Sequence, residues 1–318
     1  MMDGMSKIPR LTLNSSPSIN KTPTFIMDQS TLTIKAIGNR HSLWGEGPIW
    51  WNDSLYYVDI EGKAIIRLNP DTEEETIWEF PERIGCIVPC NNGKLLYAGD
   101  NGISIFDPKT QKSSQITDPE SHLPDNRFND GKCDPCGRFW GGTISLKKIK
   151  GSASLYCLDA QQNLGKKLEG LTNSNGLAWS QNKKRFFHID TPNRNIQAYA
   201  YNEDTSEITQ AETIIDTEAL GFDSSPDGMT IDHKDNLWVA FCHGGCVASF
   251  DTKNGSLLQT IKIPAIETTS CTFGGRALNR LFVTTGIKKD YPETHAGKIF
   301  VIDGLPIKGT SAHTYTLV

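Results

Sequence analysis

At 318 residues the chain is long enough for one large all-β or α/β domain, or for two average ones, and it can bury a substantial core. A formal charge of −5, 37% hydrophobic and 22% charged residues, and no long single-sign run exclude the basic footprint of a nucleic-acid binder. No stretch approaches the ~18 consecutive apolar residues of a membrane span, so neither nucleic acid, membrane nor protein partner is implied.

Residues 1–23, MMDGMSKIPRLTLNSSPSINKTP, lack the apolar core of a secretory signal. Their Ser, Asn, Pro and Thr content reads as a mobile lead-in to a single domain over 24–318, with cytoplasmic residence as the default.

Beyond the lead-in one pattern recurs, an apolar or aromatic pair followed by small or β-branched residues. Its copies are SLYYVD (54–59), KLLYAG (94–99), RFWGGT (138–143), RFFHID (185–190), NLWVAF (236–241) and RLFVTT (280–285). Their second residues lie 40, 44, 47, 51 and 44 positions apart, which is the period of a propeller blade. Each copy follows a tight polar turn, such as WNDS or NNGK, of the kind that joins antiparallel strands. A third strand comes after it (AIIRLNPDT, GISIFDPKT, SLYCLDAQ, NIQAYAYNEDT, CVASFDTKNG, KIFVIDG), and often a fourth apolar stretch such as TIWEF (76–80) or LLQTIKIP (257–264). Helical periodicity is almost absent. The expectation is an all-β fold, a six-bladed β-propeller of four-stranded antiparallel blades. Either LTIKAIG (32–38) or the C-terminal HTYTLV closes the ring.

The opening strand of each blade lines the central channel. Aligning the starts EGPIW, IGCIV, NDGKCD, NGLAW, DGMTI and SCTFG puts Glu46, Ile84, Asn129, Asn175, Asp227 and Ser270 at one level, each 9 to 11 residues before its aromatic pair. Any one Asp or Asn before Gly reads as a turn-former. Two carboxylates and two carboxamides converging on one point read instead as oxygen donors for a cation, because like carboxylates repel unless a cation or proton lies between them. Hard oxygen ligands favour Ca²⁺, Mg²⁺ or Mn²⁺, and the lack of His or Cys at this level argues against a dedicated zinc site. A structural ion plugging the channel is the other reading. In NRFND, Arg127 and Asn129 project to the same side of an extended strand. The arginine there either binds a carboxylate product or polarises a carbonyl, or forms a rim salt bridge.

Of the eight cysteines, Cys133/Cys136 and Cys242/Cys246 form close pairs. The four-ligand spacings of a zinc site are missing, and His243 lies inside one pair, so free, partly buried thiols are expected.

The set LWGEGPIW, NRFNDGK, SNGLAWS, SPDGMTID and TSCTFGG, in order from about residue 43 onward, resembles the senescence-marker protein/regucalcin/gluconolactonase family. That family includes bacterial sugar lactonases and insect luciferin-regenerating enzymes. The resemblance implies a six-bladed propeller that hydrolyses a sugar lactone with one divalent metal ion, whose identity it does not fix; Ca²⁺ is the first expectation, with Zn²⁺, Mn²⁺, Mg²⁺ or Fe²⁺ as alternatives. It implies Glu46, Asn175 and Asp227 as metal ligands, Arg127 and Asn129 as sugar contacts, and Asp227 as catalytic acid/base. One departure is the stretch SLKKIKG (145–151), where Lys147, Lys148 and Lys150 stand in place of acidic or polar residues. A regulatory calcium-binding propeller and a hydrolase of another activated ester are the competing readings.

Overall fold

The computed structural model describes residues 32–318. The expected lead-in over 1–23, and residues 24–31 of the expected domain, lie outside them. The described chain forms six four-stranded antiparallel sheets, arranged as the blades of a propeller. Their inner strands are Gly45–Trp51, Ile84–Pro89, Asn126–Cys133, Ser174–Trp179, Ser225–Ile231 and Thr268–Gly274. The helical element among the described residues is a short 3-10 turn, Thr191–Asn193. No helix there is long and apolar enough to cross a membrane.

The recurring aromatic pair has a simple cause. It lies on the second strand of each blade, which is covered on both faces by neighbouring blades, so Ser54–Asp59 and Leu95–Gly99 are buried throughout. Strands buried on both faces carry near-continuous apolar runs rather than alternation. The outermost strands face solvent instead. Lys112–Thr117, KSSQIT, is mostly exposed, and such polar edges discourage pairing with other chains. This gradient explains why the second strand is the most regular signal and the fourth the weakest.

Ring closure uses the first described strand. Thr33–Ile37 pairs antiparallel with Ile299–Asp303 from Thr33↔Asp303 to Ile37↔Ile299, so the last blade takes its outer strand from the start of the chain. Of the two expected closing segments, LTIKAIG has this role. HTYTLV crosses elsewhere: Tyr315 makes a single parallel bridge to Cys90, and its Oη donates to the Asp159 carbonyl at 2.6 Å. Ile37 is buried with Leu55, Tyr57, Ile66 and Val301, which joins the last blade to the first.

Strand order fixes where the loops lie. Inner strands start, and second strands end, at the same end of the channel, for example Glu46 opposite Val58. The loops after second strands, and those entering each new blade, therefore ring one mouth.

Two outcomes are expected. Ile37→Ala should lower unfolding free energy by ~2–5 kcal/mol in a denaturant titration, against at most ~1 kcal/mol for Lys35→Ala, whose partner Glu73 forms an exposed ion pair. His188, buried with its Nε2 2.8 Å from Ser174 Oγ, has its pKa pulled by burial from 6.5 down to about 3. Between those values the unfolded chain binds a proton that the native chain does not. Stability is therefore fully present above the unfolded value and falls with the pH by up to ~1.4 kcal/mol per unit. His188→Gln should flatten that acid slope.

Candidate functional site

All six inner strands break register at one level. The breaks fall at Glu46/Ile49, Ile84/Cys86, Phe128/Gly131, Asn175/Leu177, Pro226/Met229 and Thr268/Ser270, each with one extra residue on the inner strand. The aligned residues Glu46, Ile84, Asn129, Asn175, Asp227 and Ser270 sit in or at the edge of these bulges. A bulge bends the strand and re-aims a side chain, which is how strands that run along the channel turn side chains into it. Two glycines permit the geometry. Gly47, after Glu46, has φ 54°, and a Cβ on Gly176, after Asn175, would come within 2.8 Å of the Asp227 carbonyl.

A polar network ties the predicted residues together. Arg127 Nη1 donates to Asn129 Oδ1 at 3.0 Å and to the Phe128 carbonyl at 2.8 Å. Asn129 Nδ2 donates to Asn175 Oδ1 at 3.1 Å, to Asn173 Oδ1 at 3.0 Å and to the Ser174 carbonyl at 2.9 Å. Asn175 Nδ2 donates to Thr191 Oγ1 at 2.8 Å, and Thr191 donates to the Pro226 carbonyl at 3.0 Å, one residue before Asp227. The network orients the Asn175 carboxamide through both its ends. Arg127 is buried and held by this network rather than by a rim ion pair, with its pKa lowered by burial to about 10, so it stays charged at neutral pH.

Glu46 and Asp227 are each only 6% exposed. Burial first, then the charges of Asp227 and Asp130, push the Glu46 carboxyl well above the ordinary carboxylate range, and the Gly47 N–H, 2.8 Å from Oε2, pulls back less. Burial, then Asp130 and Glu267, push Asp227 the same way. A buried carboxylate cluster with this balance needs protons or a cation. The donor set of two carboxylates and one fixed carboxamide oxygen fits a hard divalent ion at Glu46, Asn175 and Asp227.

Asp130, next to Asn129, escaped the sequence alignment. Its Oδ1 accepts from the Gly131 N–H at 2.7 Å, while its buried Oδ2 has no hydrogen-bond partner. It also lines a cavity of about 290 Å³ further along the channel, together with Lys132, Ser270 and Thr272, reaching the C-terminal residues 310–313. In the alignment the channel position falls to Asn129 alone, and only the bulge between Phe128 and Gly131 brings Asp130 to it as well.

The six aligned positions hold no His or Cys, as expected, but both residue types lie close by, where Cys242 pairs with Ser225. Cys242, at the end of the neighbouring strand, donates its thiol hydrogen to Glu267 Oε2 at 3.3 Å, and Cys242, His243 and Glu267 bring their ligand atoms within 4.8 Å of one another. The eight cysteines are free thiols, and Cys136 is the exposed one. Their spacing could not reveal Glu267, which enters from the next blade. In the loop 145–151, Lys147 pairs with Asp125 at 2.7 Å, and Leu146 and Ile149 are exposed.

Comparison with known proteins agrees with this fold. Residues 44–287 match the family model described as the SMP-30/Gluconolactonase/LRE-like region. A Bacillus subtilis protein carrying the name of a sugar lactone lactonase is 33% identical over 263 residues, covering 80% of this chain and 89% of its own. Regucalcin of Danio rerio is 32% identical over 296 residues, covering 90% and 99%. The solved structure of regucalcin from Agrobacterium tumefaciens, titled a calcium-binding protein, superposes with a TM-score of 0.83 at 25% identity, covering 89% and 97%. The chain is a member of the SMP-30/gluconolactonase/LRE-like family.

Proposed function

We propose that the chain is a divalent-metal-dependent hydrolase of sugar lactones, with Glu46, Asn175 and Asp227 as the metal ligands. The observation that carries this reading is the buried, charge-deficient convergence of Glu46 and Asp227 beside an Asn175 oriented by Asn129 and Thr191. The name of the Bacillus subtilis relative supports the substrate class.

When bound, a divalent cation supplies Lewis-acid polarisation of a carbonyl oxygen and offsets charge that develops on it. The chain's own residues do the rest. Asp227 removes a proton from the attacking water as its oxygen bonds to the lactone carbonyl carbon, and returns a proton to the ring oxygen as the ring C–O bond breaks. The product is the open-chain sugar acid. Asn129 and the charged Arg127 bind the sugar hydroxyls and fix the carbonyl relative to Asp227. The loops ringing the mouth, including 118–126, 221–226 and 287–298, select the sugar.

The name of the Agrobacterium relative favours a second reading, a calcium-binding propeller without turnover. Acid release from a panel of aldonolactones separates the two, measured after metal stripping and after restoring Ca²⁺, Mn²⁺, Zn²⁺, Mg²⁺ or Fe²⁺. Turnover is expected only with metal restored. Asp227→Asn should reduce it by ~10²–10⁴-fold with the circular dichroism spectrum unchanged. Undiminished turnover in Asp227→Asn would remove that residue from the mechanism. Tight Ca²⁺ binding with no turnover of any lactone would establish the second reading.

A further inference from the structure

We propose that Cys242, His243 and Glu267 form a second divalent-metal site, thiolate-containing and of zinc type, beside Asp227. This does not rest on the lactonase reading.

The three residues come from two blades. Cys242 ends the strand Asn236–Cys242, His243 opens the hairpin to Cys246–Asp251, and Glu267 directly precedes the next inner strand, Thr268–Gly274. An isolated antiparallel bridge between Cys242 and Glu267 fastens the two blades at this point. Neighbouring residues of an extended strand point to opposite sides, so Cys242 and His243 should diverge. They converge because His243 takes a left-handed backbone, φ 65°. Such a conformation is uncommon outside glycine and is tolerated where the surroundings hold it.

The spacing suits one cation. Cys242 Sγ lies 3.3 Å from Glu267 Oε2 and 3.9 Å from each ring nitrogen of His243. Tetrahedral zinc with ordinary Zn–S, Zn–N and Zn–O bonds sets its ligand atoms ~3.3–3.7 Å apart. The His243 Nδ1 to Glu267 Oε2 distance is shorter, 2.7 Å, and the exposed imidazole would swing outward by under ~1 Å to admit an ion. Glu267 is buried, while the His243 side chain is 56% exposed and leaves a route from solvent. The Cys242 thiol hydrogen points at the Glu267 carboxylate, so its loss to a cation would leave sulfur and oxygen as adjoining ligands. Sulfur and imidazole select zinc or cobalt over calcium, whereas Glu46, Asn175 and Asp227 offer oxygen alone. The two donor sets would thus sort metals by softness across a single residue, Asp227.

The rival account is an ion-pair patch without metal. The His243 N–H donates to Glu267 at 3.2 Å, and Lys288 Nζ lies 4.0 Å from Oε1. Titrating the reduced full-length chain with Co²⁺ decides between them. The expected result is a near-ultraviolet thiolate-to-cobalt charge-transfer band that saturates at one equivalent. Zn²⁺ should remove it and excess Ca²⁺ should not. Cys242→Ala should abolish the band, and His243→Ala should weaken Co²⁺ binding by at least ~10-fold. Cys136→Ser and Glu46→Gln should keep it. Absence of the band in folded wild-type chain, its survival in Cys242→Ala, or its loss in Cys136→Ser or Glu46→Gln would overturn the proposal. Should Cys242→Ala fail to fold, the exposed His243 decides alone, and undiminished Co²⁺ affinity in His243→Ala would equally overturn it.

Discussion

The pairing of Thr33–Ile37 with Ile299–Asp303 closes the ring, and the rest of the site follows from that closure. An open fan of blades would leave Glu46 on the first blade and Asp227 on the fifth free to move apart. Closure fixes the circumference, so six inner strands must share one narrow channel and their aligned residues must face one another. The apolar second strands, buried between neighbours, drive this arrangement, while Ile37 seals the seam. The fold thus forces carboxylates together that would separate in any looser structure.

That enforced proximity sets two kinds of buried acid apart. Asp134, Asp232 and Asp59 are all buried, yet each is met by donors. Asp232 accepts from Trp238 Nε1 at 3.0 Å, Asn236 Nδ2 at 2.9 Å and two backbone N–H groups. Asp134 takes Arg138, Trp140 and Tyr201, and Asp59 takes Arg40 and the Leu43, Trp44 and Gly62 N–H groups. These carboxylates fasten turns and second strands. Burial raises the pKa of Glu46, Asp130 and Asp227 instead, and neighbouring carboxylates raise Glu46 and Asp227 further, with the Gly47 and Gly131 N–H groups and the charges of Arg127 and Lys132 pulling the other way. Such a cluster carries more uncompensated charge than the fastened acids do.

The polar chain from Arg127 through Asn129, Asn175 and Thr191 to the Pro226 carbonyl has a complementary task. It crosses three blades and locks the carboxamides, whose two ends differ chemically. A carboxamide free to flip would offer either an oxygen or an NH₂ group to the channel. With Nδ2 committed to Thr191, the Asn175 oxygen is left on the channel side. Within electrostatic reach of Asp227 lies the Cys242, His243 and Glu267 cluster. Asp227 is therefore the point where oxygen-only and sulfur–nitrogen environments meet.

Much of this was legible in the linear chain because it depends on local periodicity. The 40–51-residue recurrence of a doubly buried second strand encodes six blades, and the fixed distance from it to Glu46, Asn129, Asn175 and Asp227 encodes a common level. Within SPDGMTID, however, Asp227 and Asp232 are both buried acids beside turns, five residues apart. The repeat assigns Asp227 to the channel, but only the folded chain gives Asp232 to Trp238, because a partner on another strand decides that. The choice of LTIKAIG over HTYTLV as closing strand depended on a pairing between distant ends of the chain. The cluster with Glu267 needed a blade junction and a left-handed His243, neither of which leaves a spacing to read. Sequence determined what repeats along the chain, and tertiary structure decided what converges across it, since convergence depends on the closed ring.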